Sequence, residues 1–425
     1  MRILVENSGY HLRNLGDVAM LQGAVSRIKS LMADAQLQIV CSDPERLQRL
    51  IPGTEPVSNH LTQRALVERM SHVPYRLLPR FLRSRIRERD RYLRVAHPQR
   101  LASRLCRSPH PDSALWLDLL KGADAVIATG GGFLTDSFEE HALSVLTSLS
   151  LAQYLHKPTA LLGQGLGPIE HAALRKAVTR ILGKADLLTL REAVLGPTLL
   201  QQMDLQSHPG VCVAGDDALE IIPVRMAPQK GLRMGITVRL SSYAGVNDSA
   251  LEMLSTELQN LRVESAGNFE FCPLPIDLLH PGSNDETAAY SLLKALPITS
   301  DYQTPSDPSD VVDLAFTCSV TLSGSYHSAL FSIAQGVPVI AIQGSAYYAG
   351  KFAGLEAMFP GSIQVFNVNQ AQPGDLQRCL DQVLAIPDSV RRTWVERGSH
   401  FRELGRAQYG RFFASLHSRF ESDLT

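Results

Sequence analysis

The sequence predicts a doubly wound α/β fold repeated in two units. Strand-like and helix-like patterns alternate almost throughout, and glycine-rich turns stand at the ends of the predicted strands. A run with two prolines and a glycine then divides the alternation near the middle. At 425 residues the chain exceeds one ordinary core, so two domains are expected. The composition, 44% hydrophobic and 20% charged, is that of a soluble globular protein. A formal net charge of −1 gives no bulk field for steering nucleic acid. No nucleic-acid partner is therefore expected, and an anionic ligand must be held by local basic groups.

Taken in order, Ile3–Val5 reads as a strand, Asp17–Leu31 as an amphipathic helix and Leu37–Cys41 as the next strand. Ala125–Ala128, Thr159–Gly163, Leu187–Leu190 and Val211–Ala214 continue the series, most of them followed by a helical pattern. Pro223 to Gly231 reads as a linker, which places one domain at 1–224 and a second at 230–425. The second series starts at Arg233–Val238 and continues through Phe269–Cys272, Ser319–Leu322, Val337–Ile342 and Ile363–Val368. It closes in a long helical segment, Val390 to Phe420, rich in arginine and aromatics.

The basic segment Arg76 to Arg107 breaks the pattern and reads as part of an insertion at about 60–115. It carries Arg80, Arg83, Arg85, Arg87, Arg89, Arg91, Arg94, Arg100 and Arg104 without a lysine. Phe81, Leu82, Ile86, Leu93 and Val95 are candidates for an apolar edge. Such a helix can lie on an anionic membrane surface or hold an anionic glycan. The plainer reading, a solvated basic helix over the first domain, is favoured.

The six cysteines are scattered without a CxxC pair and mostly lie in apolar runs, as in a reducing cytoplasm. Met1–Glu6 starts a strand at once, with no signal-peptide pattern, and no apolar run is long enough to cross a bilayer. The expected location is the cytoplasm, with peripheral contact at the inner face of the membrane as an option. No metal is expected, because no His/Cys/carboxylate cluster has ligand spacing; Asp216 and Asp217 are the nearest approach.

The chemistry-bearing residues fall at predicted strand ends, where open α/β sheets bind ligands. Ser323 to Ile342 reads as a strand end, a Gly/Ser turn, a helix opened by His327 and a Gly-Val-Pro exit. Free helix N–H groups near Ser328 and Ala329 would form an anion site beside that imidazole. Asn14-Leu15-Gly16-Asp17 follows the first strand; Asp17 can cap the next helix, and Asn14 and Asp17 are candidates to bind hydroxyls. Gly130-Gly131-Gly132 and Gly163-Gln164-Gly165-Leu166-Gly167-Pro168 follow two further strands. The first is neither a Walker loop nor a GxGxxG fingerprint. Arg191, Arg239 and Asp216 each stand at a strand end, and the two arginines suit a carboxylate or phosphate unless they are spent on salt bridges. Tyr347-Tyr348-Ala349-Gly350-Lys351 can bring Lys351 to the same cleft.

Two Rossmann-like halves with a long terminal helix resemble the glycosyltransferase-B architecture, in which that helix crosses back to the first domain over an interdomain cleft. The ordered set Asn14 to Asp17, Gly130 to Gly132, Gly163 to Pro168, Arg191-Glu192, Asp216 and His327 with its Gly336-Val337-Pro338-Val339 exit resembles the polysaccharide pyruvyl transferase family. The resemblance implies transfer of a pyruvyl group from phosphoenolpyruvate to two hydroxyls of a cell-surface polysaccharide sugar or its lipid-linked precursor, with a ketal formed and phosphate released. Phosphoenolpyruvate would be a co-substrate, with no separate cofactor.

The resemblance further implies His327 as general acid and Arg191 as an arginine that holds the donor; Arg239, Ser325, Tyr326, Ser328 and Lys351 are further candidates toward the donor. From their strand-end positions, Asn14, Asp17, Gly131, Gly132, Gln164 and Asp216 are the candidates to face the acceptor. One position departs: Ser325 stands where the family typically carries an arginine, two residues before the histidine. A glycosyltransferase using a nucleotide sugar, and a non-catalytic glycan-binding member, therefore stand as alternatives.

Overall fold

The computed structural model describes all residues except 63–78, 229–230, 242–243, 266–267, 280–284, 294–295, 297, 299–301 and 424–425. The first sheet contains β1 (Arg2–Glu6), β2 (Gln36–Cys41), β3 (Glu55–Ser58), β4 (Ala125–Ala128), β5 (Gly131–Leu134), β6 (Thr159–Leu166), β7 (Leu187–Leu190) and β8 (Val211–Val213). Its order is β3-β2-β1-β4-β6-β7-β8, with β5 paired to β6. The second contains β9 (Leu232–Thr237), β10 (Phe269–Pro273), β11 (Val320–Ser323), β12 (Val339–Gln343) and β13 (Ile363–Asn367), in the order β10-β9-β11-β12-β13. The paired strands run parallel, from Ile3↔Leu37 in the first sheet to Leu322↔Ile236 in the second. Central strands such as β4, β6 and β11 are buried along their whole length. Helices cover both faces of a parallel sheet, which is why these strands read as continuous apolar runs.

Two glycine segments differ from their reading as turns. β6 continues to Leu166 through a register shift between Leu161 and Gln164, so Gly163-Gln164-Gly165 lies inside the strand. Gly131–Leu134 forms β5 against that extension, with Gly131 opposite Gln164. Backbone pairing, invisible in the local pattern, fixes both.

The helix cap also differs from expectation. Asn14, not Asp17, caps the helix Leu15–Leu31, accepting from Gly16 N and Asp17 N. Asp17 falls in the first turn, which leaves its carboxylate to the cleft.

The final helix, Asp388–Asp423, is long enough at about 54 Å to serve both halves. Trp394 packs into the core of the second half. Tyr409, Phe412, Phe413 and Leu416, at helical spacing, enter the core of the first. Beneath them Arg27 pairs with Asp217 and, at 2.9 Å, with Glu220, while Tyr409 OH donates to Asp217 at 2.7 Å. Further ties cross at the cleft, where Leu15 N donates to Ile276 O and Leu278 N to Arg13 O.

The arginine-rich segment forms helices Arg80–Ala96 and Pro98–Arg107; residues 76–78 lie outside the described residues. Val95 is buried in the core of the first half and Leu93 packs against it, so that end of the apolar edge is used internally. Among the described residues no helix is long and apolar enough to cross a membrane.

Candidate functional site

Each sheet reverses its strand order once, between β1 and β4 in the first and between β9 and β11 in the second. Loops leaving neighbouring strands there diverge to opposite faces and open a crevice. Both crevices face one cavity of about 400 Å³ between the halves. The first half contributes Asn14, Asp17, Gly132 and Arg191; the second contributes Arg239, Ser325, Tyr326, His327 and Lys351.

His327 is almost wholly buried, and its Nε2 stands 3.5 Å from Asp216 Oδ2. Its other ring face lies against Gly16, where an added Cβ would sit only 1.9 Å from Nδ1. Only glycine permits that approach, so the first helix sets the imidazole of the second half. Asp216 is fully buried behind the ring. Burial pushes its carboxyl up, but His327, Arg191 and the Ala218 N–H outweigh this and hold it below the ordinary range. The carboxylate is thus a buried negative charge facing the His327 ring.

Arg191 lies over the Tyr326 ring, 4.3 Å from its centroid, and Tyr326 OH donates to Arg191 O. Its Nη1 is 3.9 Å from Asp216 Oδ2. Lys351 Nζ lies over the Tyr347 ring at 4.0 Å. The two cations converge above Gly132, where a Cβ would stand 3.0 Å from Arg191 Nη2 and 3.2 Å from Lys351 Nζ. Burial, then Arg191 and Arg239, push the Lys351 ammonium well below its ordinary range, against the pull of Asp17. Burial pushes Asp17 up, against His327, Arg191 and Lys351. Arg191 Nε, His327 Nε2 and Asp216 Oδ2 are buried without a hydrogen-bond partner among the described residues. Buried polar atoms left so in one place fit a site that binds an anion and exchanges a proton.

Other expected site residues play structural parts. Arg239 lines the cavity, but Asp285 holds its Nε at 2.6 Å and Nη2 at 2.8 Å, and Asp277 faces its Nη1. Its charge is therefore compensated, and it braces the wall. Gln164, Gly131, Asp216 and Ser328 do not line the cavity. The Gln164 amide donates to Thr129 O at 2.7 Å, Gly131 packs on Ser8, and Ser328 Oγ bonds Ser323 Oγ at 2.6 Å. The Ala329 N–H is spent on Ser325 O, so the open N–H groups are those of Tyr326, His327 and Ser328.

Sequence reasoning missed the opposite wall, built by Ser8, Tyr10, Phe133, Phe138 and His141. No motif marks it, because the loop after β1, strand β5, the turn at Phe138 and the helix Glu139–Tyr154 each supply only part. Behind it Glu6 accepts from Tyr10 OH at 2.8 Å. Burial pushes the Glu6 carboxyl up to about 7, held back by hydrogen bonds from Ser148 and Tyr10. The folded chain therefore holds a proton that the unfolded chain releases near 4.5, so Glu6 makes stability fall as pH rises from there to about 7. Glu6→Gln should remove this slope and be more stable than the wild type above about pH 7, as read by urea unfolding across pH. An unchanged slope would refute the assignment.

The sequence matches the family described as polysaccharide pyruvyl transferase over residues 14–345. The amylovoran biosynthesis protein AmsJ of Erwinia amylovora is 22% identical over 362 residues, covering 77% of this chain and 80% of its own. Among solved structures, the UDP-GlcNAc 2-epimerase from Neisseria meningitidis covers 99% of this chain and 100% of its own, at TM-score 0.55 and 12% identity. CalG4, the calicheamicin glycosyltransferase, covers 98% of both chains at TM-score 0.53 and 13% identity. These likenesses show a fold of the glycosyltransferase-B kind.

Proposed function

This chain belongs to the polysaccharide pyruvyl transferase family, and from that premise we propose that it transfers a pyruvyl group from phosphoenolpyruvate to a sugar of a surface polysaccharide or its precursor, forming a ketal. The observation that carries this reading is His327, backed by Asp216, in one cavity with Arg191 and Lys351. Phosphoenolpyruvate needs two things from a protein: compensation of its phosphate and carboxylate, and a proton for its methylene carbon.

The two cations over Gly132 supply the first. They also answer the absence of an arginine at Ser325, since the charge comes from the end of β7 and from the helix Ala346–Met358. Protonated His327 supplies the second. As one acceptor hydroxyl oxygen bonds the enol carbon, the double-bond electrons take the proton from His327, and that hydroxyl's proton passes to a base. Asp17, in the same cavity and with raised proton affinity, suits that task. The second hydroxyl then displaces phosphate, its proton leaves with the phosphate, and the proton held by Asp17 returns, directly or through solvent, to His327 for the next cycle.

Phosphate release that needs both phosphoenolpyruvate and a glycan acceptor, with a pyruvylated product by mass spectrometry, is the expected result. The Ser325 departure keeps nucleotide-sugar transfer as the competing reading. Thermal shifts separate the two: ligand at about 100 times its Kd adds roughly 2.7 kcal/mol. A shift with a nucleoside diphosphate and none with phosphoenolpyruvate would overturn the donor assignment.

Binding should also be linked to protons. An anion beside Lys351 favours its charged form, so donor affinity should fall as pH rises through the lowered range of that lysine. Lys351→Met should weaken binding and flatten this dependence in titration calorimetry. A pH dependence that survives the substitution would assign it to another group.

A further inference from the structure

A second cavity, of about 550 Å³, lies between the helices Arg80–Ala96 and Ala172–Leu182. One helix presents Arg85, Arg89, Tyr92 and Ala96 at helical spacing; the other presents Ala173, Lys176, Ala177 and Arg180. Leu93 and Val95 complete an apolar floor. Arg85, Arg89, Lys176 and Arg180 are exposed and make no ion pair with a described residue, and among the described residues Glu88 is the one carboxylate lining the groove. Four like charges around an apolar trough gain nothing from one another. The combination suits a ligand with an anionic head and an apolar tail, as basic residues beside apolar surface do at lipid headgroups.

The groove is also close to the catalytic cavity. Asp136 accepts from the backbone of Glu170 and His171, and His171 lines the groove. Two residues further on, Phe138 lines the catalytic cavity, as does His141. His171 is fixed by Tyr92 OH at 2.7 Å and faces Glu139 at 3.5 Å. A single segment, 136–141, thus has the catalytic cavity on one side and the groove on the other.

We propose that this groove binds the phosphate end and first apolar units of a lipid-linked saccharide, leaving its sugar to reach the cleft. The choice of a saccharide-bearing lipid rests on the proposed function; the binding of an isoprenyl diphosphate does not. The probe is farnesyl diphosphate, titrated into the full chain by calorimetry beside inorganic diphosphate.

Farnesyl diphosphate should bind more tightly than diphosphate alone. The double variant Lys176→Glu/Arg180→Glu should weaken it by about tenfold or more. The same variant should keep its melting temperature and its response to phosphoenolpyruvate, while Arg191→Ala should leave farnesyl diphosphate binding unchanged. Loss of binding in Arg191→Ala but not in the double variant would put the ligand in the catalytic cavity and overturn the proposal. Equal affinity for inorganic diphosphate would overturn it too, by removing the apolar part. So would charge-dependent binding to phosphatidylglycerol vesicles without farnesyl diphosphate binding, which would make the groove a membrane contact. If the donor reading fails instead, phosphoenolpyruvate gives no shift while the groove still binds its ligand.

Discussion

His327→Ala should abolish most phosphoenolpyruvate-dependent turnover while leaving the fold and donor binding largely intact. A positioned acid is worth about 10² to 10⁴ in rate, and the loss should fall on kcat more than on KM. The imidazole is nearly buried and meets Gly16, Asp216 and Tyr326, so its removal leaves a small gap and takes from Asp216 the ring it faces. The Asp216 carboxyl should then titrate higher, since His327 is among the groups that hold it low. Arg191 and Lys351 remain, so thermal stabilisation by phosphoenolpyruvate should persist. Turnover near the wild-type level would end the role assigned to His327. Loss of both turnover and stabilisation would assign it to binding instead.

Arg27→Ala should have the largest effect on stability. The guanidinium is fully buried and holds Asp217 and Glu220, with the Tyr409 ring 5.3 Å from its carbon. Removing one partner of a buried ion pair leaves an uncompensated charge and costs about 3–5 kcal/mol. Burial already pushes Asp217 up to about 6 against the pull of Arg27, and without Arg27 it should rise further. The variant should therefore be most impaired at neutral and alkaline pH and partly recover in mild acid, where Asp217 is protonated. Since these groups tie the first helix to the terminal helix, the Asp388–Asp423 helix should loosen with them, visible as faster amide exchange around Tyr409. A loss below about 1 kcal/mol, within the range of an exposed pair, would mean that water reaches the cluster.

Much of the fold was legible because parallel strands are buried on both faces. Ala125–Ala128 and Leu187–Leu190 match β4 and β7 residue for residue, as continuous apolar runs between turn signals should. The edge strand β3 was missed, since its Glu-Pro-Val-Ser buries only Val57. β5 was missed because glycines carry no pattern; its strand character comes wholly from pairing with β6.

His327, Arg191, Lys351, Asp17 and Gly132 were legible as site candidates because the segments that follow parallel strands converge at a switch point whatever their sequence. Which of them keep their charge for a ligand was not. Arg191 and Arg239 read alike in sequence, each following a strand. Asp285 fully engages Arg239, whereas Arg191 retains a buried, unpaired Nε beside Lys351.

The sequence by itself determined two parallel α/β units, the strand ends that bear the chemistry, and the family. Those are local properties, written in hydrophobic period and turn composition. Only the tertiary structure decided that both switch points share one cavity, that Gly16 of one half seats His327 of the other, and that Asp216 lies behind the ring. Each of these joins residues far apart in the chain, through distances that no local pattern encodes.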